Sequence, residues 1–233
     1  MDYAPAYQQL IGFTRWIHLM LLLFVIVALS ESYSLEKRRN TRRVMQATPK
    51  GFSAALFARF LAGLTIAVSS SILLYGSSML IQFAIFGADG FSMPLQQLEG
   101  FVWSRLMLSS GNAMLLLMGS SILIVVATAA CTMILSEITQ NAVVPIGILS
   151  GALLLTQVFE IPYHYRNRQL SQLWSYFPIQ RIGAELLYDE RLVPVGSHFV
   201  RAIPFSTAIY FGVAFLAFAL CMCHAAASRR DRA

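Results

Sequence analysis

Long stretches without a charged residue dominate the pattern of polar and apolar positions along this chain. An α-helix needs about 20 predominantly apolar residues to cross the hydrocarbon core of a bilayer. Four uncharged stretches reach that length, at 60–88, 106–136, 138–159 and 202–227. A fifth, 16–30, is apolar apart from His18 and is long enough if the residues before Arg15 are included. The pattern predicts an all-α polytopic membrane protein with about five transmembrane helices, at about 11–30, 60–86, 109–135, 141–159 and 204–226.

Composition supports this class and indicates a single transmembrane domain over residues 1–233. Apolar residues make up 57% of the chain and charged residues 12%, against about 45–50% and about 25% in soluble domains. Strands that cross a membrane alternate in units of about ten residues, whereas these stretches are continuous, which favours helices. Residues 1–10 contain Asp2 and no Lys or Arg, so the first apolar stretch is interpreted as a retained helix rather than a cleaved signal peptide.

The distribution of basic residues predicts the orientation. Cytoplasmic loops of membrane proteins carry an excess of Lys and Arg. Residues 31–59 are rich in them, and the basic C-terminal end 229–232 agrees with five spans. This places the chain in the cell inner or plasma membrane, with the N-terminus outside, the C-terminus cytoplasmic, a cytoplasmic loop at 31–59 and an external hairpin at 160–201. The net charge of +6 then belongs to membrane flanks, and nucleic acid is not an expected partner. The basic residues of the loop are Lys37, Arg38, Arg39, Arg42, Arg43, Lys50 and Arg59.

Two external segments have the composition of membrane-interface structure. Residues 93–110 mix apolar and polar positions, which predicts a short interfacial helix beginning after Pro94. Residues 161–188 are rich in aromatic side chains and broken by Pro162 and Pro178. This segment fits short helices in the outer leaflet and, equally, an aromatic belt at the headgroup level.

Small residues within the spans predict where helices pack closely, because packing rather than water exclusion drives helix association in lipid. Such positions in the second and fourth spans are Gly63, Ser70, Ser77, Gly147 and Gly151. His18 is the exception to the lack of ionisable groups in the middle of the spans. It is placed near the outer part of the first helix and is interpreted as a satisfied packing residue. Proton or ion coupling within the chain is therefore not expected.

The sequence lacks the motifs of an enzyme active site. There is no G-x-x-x-x-G-K-[ST] phosphate loop, no H-E-x-x-H and no G-x-S-x-G. Cys221 and Cys223 are two positions apart, so on a helix their thiols diverge and do not form a metal site with His224. We therefore expect no catalytic residue, metal or cofactor on this chain.

The loop 31–59 has more organisation than a basic membrane flank needs. Its cluster of positive charge is followed by a mildly apolar half-turn at Val44 and Met45, and then by Thr48-Pro49-Lys50-Gly51. Proline disfavours helix at the preceding residue and is tolerated in a first helical turn. The pattern predicts two short cytoplasmic helices, the second starting at Phe52 and running directly into the second span. Such a loop is more typical of a docking surface than of a tether.

This loop resembles that of the transmembrane subunits of ABC-2-type exporter permeases. In that family a helix ends in Glu-x-Glu-x-Gly-Thr, followed by an apolar pair, Thr/Ser-Pro and a second helix. The matching positions are Glu36, Asn40-Thr41, Val44-Met45 and Thr48-Pro49, although Asn40 replaces the family's Gly and the first Glu is not matched. The turn at 134–142, the outer hairpin near 159–178 and the basic tail are similar too. The chain resembles the later part of the family, without its first span and external domain.

The resemblance implies a permease subunit of an ATP-binding-cassette transporter, in which a separate cytoplasmic P-loop ATPase binds ATP and Mg²⁺ and hydrolyses ATP. A second permease subunit would complete a homodimer or heterodimer in membrane lipid. The residues expected at or beside the ATPase interface are Glu36, Thr41, Met45, Thr48 and Pro49. A lipid-like, peptide-like or drug-like substrate fits spans without charge. The alternatives are a non-transporting membrane scaffold or assembly subunit, and a membrane-embedded enzyme.

Overall fold

The computed structural model describes residues 5–31, 51–102, 104, 106–139, 141–159, 177–178, 187, 192–195 and 198–230. Five helices make up most of these residues, in agreement with the predicted helical fold. Their bounds are α1 Pro5–Ser30, α2 Gly51–Phe86, α3 Ser110–Thr139, α4 Val143–Val158 and α5 Ala202–Arg230. An antiparallel hairpin, β1 Leu192–Val195 with β2 His198–Arg201, leads directly into α5.

α1 and α2 begin well before the predicted spans. α1 begins at Pro5 instead of near residue 11, because proline is favoured in the first turn of a helix, where its missing N–H has no partner to lose. α2 begins at Gly51, one residue before the predicted restart, and continues for 36 residues without interruption. At about 1.5 Å per residue, α2 is about 54 Å long.

The five helices form one bundle around α3, which packs against each of the other four. Tyr7 at the start of α1 packs against Phe83 near the end of α2, with the rings tilted and their centroids 5.4 Å apart. Phe60 near the start of α2 packs on Phe218 in the second half of α5, at 5.1 Å. α1 and α2 are therefore antiparallel, as are consecutive helices along the rest of the bundle.

The end of the bundle where α1 and α3 begin is covered by residues 87–109, which we call the cap loop. In place of the predicted interfacial helix after Pro94, this loop has a three-residue 3₁₀ turn, Leu95–Gln97. Leu95 and Leu98 are buried against the start of α1 and of α3. The apolar positions that predicted contact with lipid thus contact α1 and α3 instead. This burial within the bundle explains why the segment is a loop and not an interfacial helix.

Three helices are long and apolar enough to cross a membrane, by length and composition: Pro5–Ser30, Phe57–Phe86 and Ser110–Thr139. Two further apolar helical stretches, Val143–Val158 and Thr207–Leu220, are shorter. Large apolar side chains on the outside of the bundle, such as Leu73, Leu80 and Phe215, are well exposed, as expected for a surface in contact with lipid. The structure thus supports a membrane-embedded helical bundle, while the count of five spans stays a prediction.

Candidate functional site

Three polar side chains from three different helices meet inside the bundle. The Oγ atom of Ser121 on α3 lies 2.6 Å from Nδ1 of His18 on α1 and 2.5 Å from the hydroxyl oxygen of Tyr75 on α2. His18 and Ser121 are completely buried, and Tyr75 retains 4% of its surface. We call these three residues the polar cluster. A single hydroxyl group therefore joins α1, α2 and α3.

The polar cluster lies close to the middle of the apolar part of the bundle. His18 is thirteen residues after Pro5 and twelve before Ser30, the two ends of α1. The sequence-based placement of His18 near the outer part of its helix was wrong, because α1 starts earlier than predicted. Ionisable side chains within membrane spans are costly and mark functional positions by default, so this cluster is the candidate site.

The hydrogen bonds of the cluster can run in two directions. In one, the Tyr75 hydroxyl donates to Ser121 Oγ, and Ser121 donates to Nδ1 of His18, which leaves the proton of the neutral imidazole on Nε2. In the other, Nδ1 donates to Ser121, and Ser121 donates to the Tyr75 oxygen. In both arrangements the Ser121 hydroxyl uses one proton and one lone pair. The serine satisfies both neighbours at once.

A contact between Ser and His also occurs in nucleophilic catalysis, where a third group orients the base and backbone donors stabilise the oxyanion. Here Ser121 and His18 are fully buried, and Nε2 of His18 has no hydrogen-bond partner among the described residues. An acyl donor has no access to the serine in this arrangement. The chemistry that the geometry supports is hydrogen bonding between helices.

The polar cluster was missed because the sequence marked other small or polar positions. Gly63 leaves room for a side chain of α3, since a Cβ atom there would overlap the thioether of Met133. Ser70 is half-buried and Ser77 exposed, and each donates to a carbonyl of its own helix. The inward face of α2 instead carries Ser71 and Tyr75.

Gly147 and Gly151, the GxxxG pair of α4, have open space beside them. An ideal Cβ atom at either position would meet no atom of the described chain within 4 Å outside its own helix. Their predicted role in helix packing therefore has no counterpart within the described bundle. The five residues predicted at an ATPase interface, Glu36, Thr41, Met45, Thr48 and Pro49, lie outside the described residues.

A second polar contact joins the C-terminal ends of α1 and α3, near the loop 31–50. The Oγ atom of Ser136 on α3 donates a 2.6 Å hydrogen bond to the carbonyl oxygen of Ser30, the last residue of α1. The last four carbonyl groups of a helix have no partner within it, so this bond satisfies one of them. Ser30 and Ser136 are both completely buried. The end of α1, from which the loop starts, is therefore held against α3.

The cap loop is tied to the opposite end of the bundle by backbone hydrogen bonds. The amides of Ser110 and Gly111, at the start of α3, donate to the carbonyl oxygens of Met93 and Phe91, at 2.8 and 3.0 Å. The Tyr7 hydroxyl donates to the carbonyl of Ala88 at 3.1 Å. Ser104 in turn donates to the carbonyl of Leu187 at 2.8 Å, which brings part of the segment 160–201 to this end.

Within the described residues, no group of three or more His, Cys, Asp or Glu side chains is arranged to hold a metal ion. The candidate site is thus a buried hydrogen-bonding cluster. The hydrogen-bonded ends of α1 and α3 lie on one side of it, and the cap loop lies on the other.

Comparisons of the chain with protein-family models, with curated proteins and with solved structures found no match.

Proposed function

We propose that this chain is the permease subunit of an ATP-binding-cassette transporter, acting as an exporter driven by a separate P-loop ATPase. The observation that carries the proposal is the continuity of α2. This helix starts at Gly51, directly after the basic loop, and reaches Phe86 at the cap loop without a break. A rigid helix of that length can transmit a displacement from one membrane surface to the other.

The contacts along α2 support such a mechanical role. Gly63 packs closely on Met133, Tyr75 is hydrogen-bonded to Ser121, and Phe83 packs against Tyr7. These contacts are spaced along most of the helix and involve both α1 and α3. A tilt of α2 at its loop end would therefore rearrange the bundle as a whole, as in two-state rigid-body transitions.

The loop 31–50 is the proposed docking element for the ATPase. It joins Ser30, whose carbonyl is held by Ser136, to Gly51, the first residue of α2. A force applied to the loop would thus act on two defined helix ends. We place Glu36, Thr41, Met45, Thr48 and Pro49 at or beside the interface, with the loop and the C-terminus in the cytoplasm and the N-terminus outside.

The remaining parts of the proposal concern partners and cargo. ATP and Mg²⁺ would bind on the partner ATPase, and a second permease subunit would complete the transport unit in the cell membrane. The GxxxG pair Gly147 and Gly151 on α4 has open space beside it and the small residues that close helix packing requires. The exposed apolar surface of the bundle favours a lipid-like or otherwise hydrophobic substrate.

Co-purification from membranes tests the proposal, with a P-loop ATPase identified among the captured proteins as the candidate partner. Both Met45→Gln and Pro49→Ala preserve charge, and we expect each to release the ATPase. Gln97→Ala, in the cap loop at the opposite end of the bundle, is the control and should retain it. Binding that survives both loop variants, or the absence of an ATPase partner, would contradict the proposal and favour the scaffold.

A further inference from the structure

One nitrogen of the His18 ring is not used by the polar cluster. Nδ1 contacts Ser121, whereas Nε2 is buried and has no hydrogen-bond partner among the described residues. Leaving a buried polar group unsatisfied costs about 1–3 kcal/mol, so such groups are rare in native structures and call for an explanation specific to the site. Because His18 is completely buried, a partner for Nε2 has to lie inside the bundle.

The antiparallel helices α1 and α2 stay in register along the bundle. Contacts join them near the cap loop, in the middle and near the loop 31–50, and the two helices cover nearly the same length between these levels. A residue one turn from a contact on α1 therefore lies level with a residue one turn from that contact on α2. The contacts are Tyr7 with Phe83, His18 with Tyr75 through Ser121, and Leu29 with the Cβ position of Gly63.

One turn nearer to the cap loop than the polar cluster, each of these two helices carries a hydroxyl group. Thr14 precedes His18 by four residues on α1, and Ser78 follows Tyr75 by three residues on α2. Residues three or four apart lie on the same face of a helix, with Cβ atoms about 5–6 Å apart. Both steps lead toward the cap loop, so the two hydroxyls lie level with each other. The His18 ring leans toward them, because helical side chains tilt toward the N-terminus of their own helix.

Both hydroxyl groups already use their proton within their own helix. Thr14 Oγ1 donates to the carbonyl oxygen of Leu10 at 2.7 Å, and Ser78 Oγ donates to that of Leu74 at 2.8 Å. A hydroxyl has one proton and two lone pairs, so each oxygen can still accept a hydrogen bond but not donate one. Thr14 is buried and Ser78 is half-buried. The level next to the polar cluster thus offers two further acceptors.

The unused nitrogen of His18 supplies the matching donor. When Tyr75 donates to Ser121 and Ser121 donates to Nδ1, the proton of the neutral ring is on Nε2. An Nε2–H group beside two acceptor oxygens is complemented by a molecule that both accepts and donates hydrogen bonds. An anion would face the two oxygens and a cation would face the N–H group, so a neutral molecule fits this arrangement.

We propose that His18, Thr14 and Ser78 bind one water molecule between α1 and α2. The water accepts from Nε2–H and donates to both hydroxyl oxygens, which gives the three hydrogen bonds that are typical of buried water. The near-complete burial of His18 and Thr14 favours water, the smallest molecule with this capacity. Such a water joins α1 directly to α2, whereas the polar cluster joins them through α3. This inference stands independently of the transport proposal.

Magnetic resonance of the full chain in phosphatidylcholine vesicles tests the proposal, with ¹⁵N-labelled histidine. The His18 resonances are identified by their loss in His18→Gln. We expect a protonated, hydrogen-bonded Nε2 whose proton receives polarisation from water. We expect Nδ1 to be unprotonated and to accept a hydrogen bond, which reports the contact with Ser121.

Two substitutions remove the acceptors with little change in shape, Thr14→Val and Ser78→Ala. Each should weaken the transfer from water to Nε2–H, and the double variant should abolish it. An unchanged Nδ1 resonance shows that the polar cluster is still folded. The matched controls should keep the transfer. They are Thr128→Val, since Thr128 is a buried threonine of α3 that donates to its own helix, and Ser77→Ala, since Ser77 is the exposed neighbour of Ser78.

Three outcomes would overturn the proposal. The first is an Nε2 resonance typical of a nitrogen without a hydrogen bond. The second is a hydrogen bond from Nε2–H directly to the hydroxyl of Thr14 or Ser78, without transfer from water. The third is transfer that persists at full strength in both single variants, or in the double variant with an unchanged Nδ1 resonance.

Discussion

Ser136 and Ser30 are joined by a 2.6 Å hydrogen bond from the side chain of one to the backbone carbonyl of the other. The bond connects the last turn of α3 to the last residue of α1, across 106 positions of sequence. Both residues are completely buried. It therefore defines where α1 ends and where the basic loop begins.

We predict that Ser136→Ala destabilises the bundle by about 1 kcal/mol, in line with hydrogen bonds between membrane helices. The loss arises because the Ser30 carbonyl is left buried without its donor. Ser120→Ala on the same helix is the control, since Ser120 donates only to its own helix, to the Leu117 carbonyl. Reversible unfolding in mixed detergent micelles measures both, and equal stabilities of the two variants would contradict the assignment.

Gly63 allows α2 to approach α3 closely. A Cβ atom there would overlap the thioether of Met133, the flexible end of a fully buried side chain, so Gly63→Ala should destabilise the bundle by about 1 kcal/mol, the low end of the cost of overpacking a core. Gly76→Ala on the same helix has open space and should be neutral or stabilising, because Ala is the better helix former. Thermal denaturation in detergent separates the two.

A second substitution tests whether Met133 causes the loss. Shortening this side chain in Gly63→Ala/Met133→Ala should recover part of the stability lost in the single Gly63 variant, relative to the sum of the two single changes. Residues in contact are non-additive by about 0.5–3 kcal/mol. If the effects of the two substitutions were strictly additive, the added Cβ atom at position 63 would not be overlapping Met133.

The Ser121 hydroxyl is hydrogen-bonded to both His18 and Tyr75, so substitutions at Tyr75 and Ser121 should have non-additive effects on stability. We expect Tyr75→Phe to lose about 1 kcal/mol and Ser121→Ala about 1–3 kcal/mol, since the serine change leaves two buried groups without partners. In the double variant the tyrosine change should cost almost nothing further. The pair Tyr75→Phe and Ser120→Ala should instead be additive, and a double-mutant cycle by unfolding in detergent compares the two pairs.

Much of the fold can be predicted from the sequence. Which side of each helix faces the inside of the bundle cannot. The continuous apolar stretches predicted the helices, and Thr48-Pro49 predicted that a helix starts at Phe52, one residue after the observed first residue of α2. Ser69, Ser70 and Ser71 are three consecutive serines, so composition alone cannot tell which of them faces inward. The structure buries Ser71 and leaves Ser70 half-buried.

The polar cluster itself depends on contacts that no local pattern contains. His18 and Ser121 are 103 positions apart, and Tyr75 and Ser121 are 46 apart. Their meeting depends on the relative rotation of three helices, which tertiary packing determines. A sequence rule would identify His18 as unusual within an apolar stretch, but it could not name the serine that accompanies it.

The junction between Phe91 and Gly111 controls how tightly the cap loop covers the bundle. A Cβ atom at Gly111 would overlap the Phe91 ring, and the Gly111 amide donates to the Phe91 carbonyl at 3.0 Å. Because Phe91 is 47% exposed, its ring can swing outward. Gly111→Ala should therefore loosen the cap loop with little effect on the bundle.

Hydrogen exchange measured by mass spectrometry in vesicles tests this prediction. In Gly111→Ala, peptides covering 87–102 should exchange faster, because the amides that tie the cap loop to α3 open more often, while peptides from the middle of α3 stay protected. Gly119→Ala on the same helix meets open space and should leave exchange in both regions unchanged. Unchanged protection of 87–102 in Gly111→Ala would mean that the cap loop is held by its buried leucines rather than by this junction.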